Sequence, residues 1–249
     1  MANFIPLKNY MFFCLDRMIG EFDIKPPFLD AGCGVGDVSH FLARKGWNGK
    51  AIDTSAVSIE RAKNILAPFH NVTVEQESVS DENGAFNSIF LWDVLEHIED
   101  DRATLNKLSS LLLPNGHLVV AVPSNPREWR WDDDFYGHIR RYSQKEITEK
   151  ISHAGMEVVA CMDFTYPLFW ALRRMYTFLK RRPAMSEDKE MNTMTSATKN
   201  AWEIPFISKK LNSASGAWRH VYMWQFSRFR NKVANGHEMF VVALKKRAS

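Results

Sequence analysis

The chain has 249 residues, of which 45% are hydrophobic and 24% charged, and its formal charge is +3. That length supports a substantial core in one large domain, or one domain with an elaboration, and the composition excludes disordered, collagenous and disulfide-scaffold classes. The charge is too close to balance to mark a nucleic-acid binder by itself, and no apolar run reaches the roughly 18 residues that a membrane-crossing helix needs.

Taken in chain order, residues 1–26 read as an N-terminal helical cover. Their start, MANFIPLKNYMFFCLDRM, lacks the basic segment and long apolar stretch of a signal peptide. Cys14, Cys33 and Cys161 make no CxxC or metal-ligand spacing. Reduced thiols and a cytoplasmic location are therefore expected, with contact to a membrane surface left open. The first strand is PFLDAG (27–32), followed by a glycine-rich turn and a helix over 38–46 that ends on Gly46. Strand GKAID (49–53) leads to a helix over 55–66 with Ser55 as its N-cap. Strands follow at 71–78 and 87–93, then a helix over 101–112 ahead of the turn Pro114-Asn115-Gly116. Strand GHLVVAVP (116–123), an aromatic and charged segment (123–143), and a helix over 143–153 opened by the capping-box pair Ser143 and Glu146 complete the next unit. Strands at 156–162 and 238–246 close the pattern.

This alternation predicts an α/β fold: a doubly wound, mostly parallel seven-stranded sheet with helices on both faces and a helical insert before the last strand. Residues 27–164 and 237–249 form the Rossmann-like domain of that reading, and 165–236 form the insert. The insert holds 13 basic and four acidic residues, a balance of +9, while the rest of the chain sums to −6. Within it, 184–200 is polar and reads as a loop.

Gly32, Gly34 and Gly36 stand at every second position behind Asp30, where strand hands over to helix. Three glycines together imply a backbone that something must approach closely. A dinucleotide fingerprint would place its third glycine at position 37, which is Asp37. Acids at 30 and 37 suit a cationic ligand better than a pyrophosphate. Asp53 ends the second strand, where a carboxylate can accept two hydrogen bonds from a ribose diol. Glu77 and Ser78 end the third strand, and Trp92 and Asp93 the fourth.

The pieces "LDAGCGVGD", "AIDTS", "EQES" and "FLWDVLEHIEDD" together resemble the class I S-adenosylmethionine-dependent methyltransferases over about residues 27–163 and the final strand. The resemblance implies S-adenosylmethionine as cofactor and S-adenosylhomocysteine as product. It implies that Asp30 and the backbone of Gly32, Gly34 and Gly36 hold the methionyl part, that Asp53 binds the ribose with Thr54 beside it, and that Glu77 and Ser78 meet the adenine. Trp92 would lie where the fourth strand passes the cofactor, and Tyr10 would complete the pocket. An aspartate is commoner than Glu77 in relatives.

Methyl transfer is an in-line displacement, so a protein contributes most by holding the nucleophile at near-attack distance; a base is needed only for a protonated acceptor. The segment PSNPREWRWDDDFYGHIRRYS, too irregular for core, is expected over the cofactor mouth. His138 and His97 are the candidate catalytic residues, and Arg141 and Tyr142 candidate substrate contacts. The competing reading has this segment packing on itself, with Arg141 pairing to 132–134, Arg140 structural, and Glu96 and His97 fixing a turn. The other six histidines do not cluster, and no metal is expected.

In the insert, Leu168, Leu172, Met175 and Leu179 share one helical stripe beside Trp170, a further candidate substrate contact, and a cluster of arginines and lysines. An acceptor pocket roofed by helices, a membrane-facing surface, a subunit interface and plain helix cover all remain open for 165–236. No nucleic-acid partner is expected, because base-splaying motifs are missing. The expected activity is transfer of a methyl group, to oxygen ahead of nitrogen or carbon, on a small apolar or amphipathic acceptor. The alternatives are a non-catalytic partner subunit with the same fold and a nicotinamide-dependent oxidoreductase.

Overall fold

A computed structural model describes residues 6–180, 215–230 and 235–246. The polar stretch at 184–200 lies outside the described residues.

The seven strands are β1 (Phe28–Ala31), β2 (Gly49–Asp53), β3 (Val72–Gln76), β4 (Phe86–Trp92), β5 (Leu112–Pro123), β6 (Met156–Asp163) and β7 (Glu238–Lys245). They form one sheet in the order β3-β2-β1-β4-β5-β7-β6. All neighbouring pairs are parallel except those of β7, which runs antiparallel to both β5 and β6. The strand order reverses at β1, which pairs with both β2 and β4, and ligands of such sheets sit in the crevice at that point.

The helices are α1 (Pro6–Glu21), α2 (Asp37–Ala43), α3 (Ala56–Leu66), α4 (Asp101–Leu111), α5 (Trp131–Tyr136), α6 (Gln144–His153), α7 (Leu168–Leu179) and α8 (Ser215–Phe229). Ser55 and Ser143 cap α3 and α6 by accepting from Ser58 N and Glu146 N, as their sequence predicts. Two apolar layers result. One face of the sheet packs α1, α2, α3, α7 and α8 around Phe28, Phe90, Phe164 and Phe240; the other packs α4 and α6 around Leu29, Ile89, Leu118 and Val241. Residues 28 and 29 fall in opposite layers because successive strand side chains point to opposite faces.

Three sequence expectations are corrected. The turn at Pro114-Asn115-Gly116 lies inside β5: the pairing steps from Phe86–Leu112 to Ser88–His117, so the extra residues bulge out. The segment 123–143 is not wholly irregular: it contains α5 and buries Glu128, Asp132, Asp133, Arg141 and Tyr142. The apolar stripe of α7 is not its buried face: Phe169, Arg173 and Thr177 are buried, whereas Met175 and Leu179 are exposed. Arg173 is interior because acidic partners face it, a contact that apolar periodicity does not register.

Candidate functional site

The glycine turn sits at the carboxyl end of β1, and each glycine meets a different constraint. Gly32 has φ +75, and a Cβ there would stand 2.6 Å from Val94 Cγ2, so the turn lies against the segment leaving β4. Gly34 has φ +53, and a Cβ there would meet nothing within 4 Å; it faces open space. Its N–H donates to Asp53 Oδ2 at 2.9 Å, and Asp53 Oδ1 accepts from Ser55 N at 2.8 Å. Asp53 therefore links the turn to the end of β2 while staying half-exposed beside the one glycine that opens outward. Thr54, next to it, is exposed.

The other two acids differ from their expected part. Asp30 is buried, and its Oδ2 accepts from Ser39 N at 3.0 Å and Ser39 Oγ at 2.6 Å. Burial pushes its carboxyl up to about 7, against the opposing Ser39 bonds. Asp30 thus anchors the first turn of α2 through Ser39. Asp37 pairs with Lys8 of α1 at 2.5 Å. Of the three acids around the turn, Asp30 is buried, Asp37 is paired with Lys8, and Asp53 is half-exposed while accepting from two backbone N–H groups.

At the end of β3, Glu77 is bound to Lys50 Nζ at 2.5 Å, and Glu75 and Glu82 reach the same ammonium at 2.8 Å. The Glu77 side chain is thus paired with a lysine three residues before Asp53. Ser78 Oγ lies 2.9 Å from Ser80 Oγ and accepts from Ser80 N at 3.3 Å, shaping the turn there. Trp92, at the end of β4, lies between Phe12 of α1 and Phe240 of β7, with ring centroids 5.4 and 5.1 Å away. Tyr10 is fully buried, stacked on Phe169 at 5.1 Å and near Tyr222 at 5.2 Å. It ties α1 to α7 and α8 as core, not as a pocket wall.

Beyond β5 the interior is charged. Asp133 accepts from Arg141 Nε at 2.7 Å, Arg173 at 2.9 Å and His138 Nδ1 at 2.9 Å. Burial acts to raise its pKa, but the His138 bond and the two guanidinium groups outweigh it and hold the carboxyl below the usual range. Arg173 also forks onto Asp132 at 2.6 and 2.8 Å. Arg141 donates as well to Ser124 O and His237 O at 2.8 and 2.9 Å. Tyr142 is buried, its hydroxyl donating to Asp101 Oδ2 at 2.8 Å, and Arg140 and Lys150 meet the same carboxylate. Arg141 and Tyr142 are therefore structural anchors, and their expected substrate contacts are corrected: every direction they face is filled by the protein's own acceptors. Trp170 carries Arg174 over its ring at 4.4 Å.

His97 and His138 do come together, with ring centroids 5.0 Å apart. Both face Glu96, whose Oε1 lies 4.0 Å from His97 Nε2 and 3.8 Å from His138 Nε2. Glu96 is fully buried, with neither carboxylate oxygen hydrogen-bonded among the described residues. Burial pushes its pKa up to about 8 and, with His138 next in weight, pulls His97 down to about 4. Glu96 O accepts from Ile139 N at 3.0 Å, so this turn after β4 is sewn to the segment carrying His138.

Sequence reasoning missed Asp133 and Arg173 as hubs and Lys50 as the partner of Glu77. The triplet Asp132-Asp133-Asp134 and the pairs Arg140-Arg141 and Arg173-Arg174 were the available signal: acids and arginines in matching number within segments otherwise rich in aromatics.

The insert is rooted by Asp163, which accepts from Thr165 N at 3.0 Å and Gly236 N at 2.6 Å. Between α7 and α8 runs an apolar groove of about 540 Å³ lined by Leu168, Trp218, His220, Val221 and Trp224.

A family model described as a methyltransferase domain matches residues 8–161. The chain belongs to the methyltransferase-domain family. Within that family it is 27% identical over 132 residues to a ubiquinone biosynthesis O-methyltransferase of Alkalilimnicola ehrlichii, covering 50% of this chain and 51% of that one. It is 37% identical over 102 residues to the mitochondrial ubiquinone biosynthesis O-methyltransferase of Schizosaccharomyces pombe, covering 39% and 37%. The match thus spans about half or less of these curated relatives' length. In fold, this methyltransferase-domain chain is similar to magnesium protoporphyrin IX methyltransferase from Synechocystis PCC 6803, solved with bound S-adenosylhomocysteine. The TM-score is 0.54 at 14% identity, covering 97% of this chain and 81% of that one.

Proposed function

We propose that this chain transfers a methyl group from S-adenosylmethionine to a hydroxyl of a small, amphipathic acceptor. The observation that carries the reading is the outward-facing Gly34, its N–H held by Asp53 at the switch point of a methyltransferase-family sheet. A bare backbone there admits the cofactor's amino-acid part, and the free lone pairs of Asp53 accept from the ribose diol. The curated relatives are O-methyltransferases by name, which supports oxygen as the accepting atom. The chemistry asked of the protein is alignment: the acceptor oxygen must lie in line with the methyl–sulfur bond.

Calorimetric titration with S-adenosylhomocysteine and, separately, NADH tests this reading against an oxidoreductase and against a non-catalytic subunit. Stoichiometric binding of the first and none of the second is expected. Asp53→Ala is expected to weaken S-adenosylhomocysteine binding about tenfold or more, the worth of a hydrogen bond to a charged group; unchanged affinity would end the ribose assignment.

For the acceptor side, the groove between α7 and α8 is apolar and of ligand size. A second reading, contact with an anionic membrane surface from the cytoplasmic side, is favoured by the exposed Met175, Phe178, Leu179 and Trp224 near Arg174 and Lys180. Among the described residues no helix is long and apolar enough to cross a membrane. Co-sedimentation with anionic vesicles at low and high salt separates the readings: salt-sensitive pelleting supports the membrane surface, and its absence leaves the groove to a soluble acceptor or a second subunit.

A further inference from the structure

Asp30, Asp37, Asp53 and Glu77 are each held by a donor of the protein itself, whereas two acids at the next strand ends are not. Asp93 follows the last residue of β4, where the chain turns out of the strand at φ +51. Its N–H donates to Ala121 O of β5 at 3.0 Å, and the next residue, Val94, is the one against which Gly32 of the glycine turn packs. Glu238 opens β7 and pairs with Pro123, the last residue of β5. The two acids therefore flank the carboxyl end of β5, with Asp93 on the side of the glycine turn. Strand residues two apart share a face, so Glu238 lies on the face of Phe240, whose ring packs on Trp92 at 5.1 Å. Both acids are half-exposed.

Glu238 Oε2 is sealed from solvent and has no donor among the described residues, and none of them donates to the Asp93 carboxyl group. Beside them Glu96, fully buried, leaves both of its oxygens without a donor. Arg141 and Arg173 are the cations that act on Glu238, and both are already engaged by Asp133. Asp163 adds a further negative charge from the end of β6. Burial first and Glu96 second push the Asp93 carboxyl well above its ordinary value; burial first and Asp93 second do the same to Glu238. Carboxyl groups crowded together with no cation between them keep protons that isolated ones lose.

We infer that Asp93 and Glu238 form a proton-exchanging pair that meets the positively charged sulfonium of the cofactor and releases a proton as that charge arrives. The inference rests on the methyl-transfer reading, which puts the sulfonium at the switch point beside Asp93. A sulfonium carries no N–H or O–H, so it is balanced by charge and not by hydrogen bonds. Without that cation the pair retains a proton; with it the fully ionised pair is favoured, and the proton leaves to solvent. The pair then has a site for the acceptor's hydroxyl proton. As the oxygen–carbon bond forms and the carbon–sulfur bond breaks with its electrons on sulfur, that proton passes to the pair, and one positive and one negative charge vanish together.

The test compares S-adenosylmethionine with S-adenosylhomocysteine, whose sulfur is neutral, as ligands of the full chain. Calorimetry at pH 7 in two buffers of different ionisation enthalpy gives the protons exchanged per site. Wild type is expected to release about half a proton or more in excess with S-adenosylmethionine. The excess is expected to vanish in Glu238→Gln and, independently, in Asp93→Asn, so that one variant serves if the other does not fold. Thermal midpoints and S-adenosylhomocysteine affinity report the fold and the crevice of each variant, and both are expected to stay near wild type. Equal proton release for the two ligands in wild type, or an undiminished excess in either folded variant, overturns the pair and leaves the methyl-transfer reading standing. Failure of wild type to bind either compound removes that reading, and the pair's assignment with it.

Discussion

The two rims of the sheet are closed by different means. Around the glycine turn the links are short in sequence: Gly34 to Asp53 spans 19 residues, Ser39 to Asp30 nine, and Ser55 to Asp53 two. They are hydrogen bonds, mostly from backbone N–H groups, to the two carboxylates of Asp30 and Asp53. Beyond β5 the links are long and ionic: Arg173 reaches Asp133 across 40 residues and Arg141 reaches His237 O across 96. The first rim stays open at Gly34, where a ligand can reach the backbone. The second is a buried lattice of charge that clamps α7 and β7 to the segment after β5. The contrast teaches that the half built to receive a ligand is made of local, easily satisfied bonds, while the half built to hold its shape spends buried charges that must all be paired.

Several substitutions break or sharpen this contrast. The largest effect is expected from Asp133→Ala, which leaves Arg141, Arg173 and His138 without their shared acceptor; breaking a buried pair from one side costs about 3–5 kcal/mol. Urea denaturation reads this directly, and a loss below about 1 kcal/mol would show that the network is not the clamp described. Next comes Gly32→Ala, where the added Cβ meets Val94 at a positive φ; crowding and left-handed strain together cost about 2–4 kcal/mol.

Asp101→Asn follows, with a pH signature. Burial acts to raise the Asp101 pKa, but Lys150, Tyr142 and Arg140 outweigh it and hold it below the ordinary value. The folded state therefore prefers the charged form. Its contribution is complete above about pH 4 and drains away as pH falls through the lower folded value. Melting curves at pH 7 and pH 3 are expected to show wild type ahead of Asp101→Asn at the first and the gap narrowed at the second.

Gly34→Ala sharpens the comparison from the other rim. With open space around its Cβ it costs only the left-handed strain, about 1–2 kcal/mol, yet it is expected to weaken S-adenosylhomocysteine binding tenfold or more. The smallest effect belongs to Trp224→Ala on the exposed side of α8, within about 0.5 kcal/mol of wild type in stability.

Much of the fold was legible because it rests on short-range rules. Alternating strand and helix, the Ser55 and Ser143 caps, and the glycine turn behind Asp30 all depend on neighbours within a few residues. Asp53 likewise stands at the end of β2, where the strand pattern puts it. For Asp30 and Glu77 a sequence shows that an acid stands at a strand end but not which cation or hydroxyl will claim it. Ser39 and Lys50 claimed them. For Arg141 the competing reading, a pairing to 132–134, is the one the structure shows, and Tyr142 is buried with its hydroxyl on Asp101.

The sequence by itself determined the sheet, its order of elements and the bare turn at its switch point, because periodicity, capping and glycine conformations are local properties of the chain. Only the tertiary structure decided which charges are interior. It paired Asp133 with Arg141 and with the distant Arg173, and it brought His138 to Glu96 and His97. Burial and pairing are set by what folds over a residue from elsewhere, and in a medium that screens charge weakly that neighbour decides whether a side chain braces the fold or awaits a ligand.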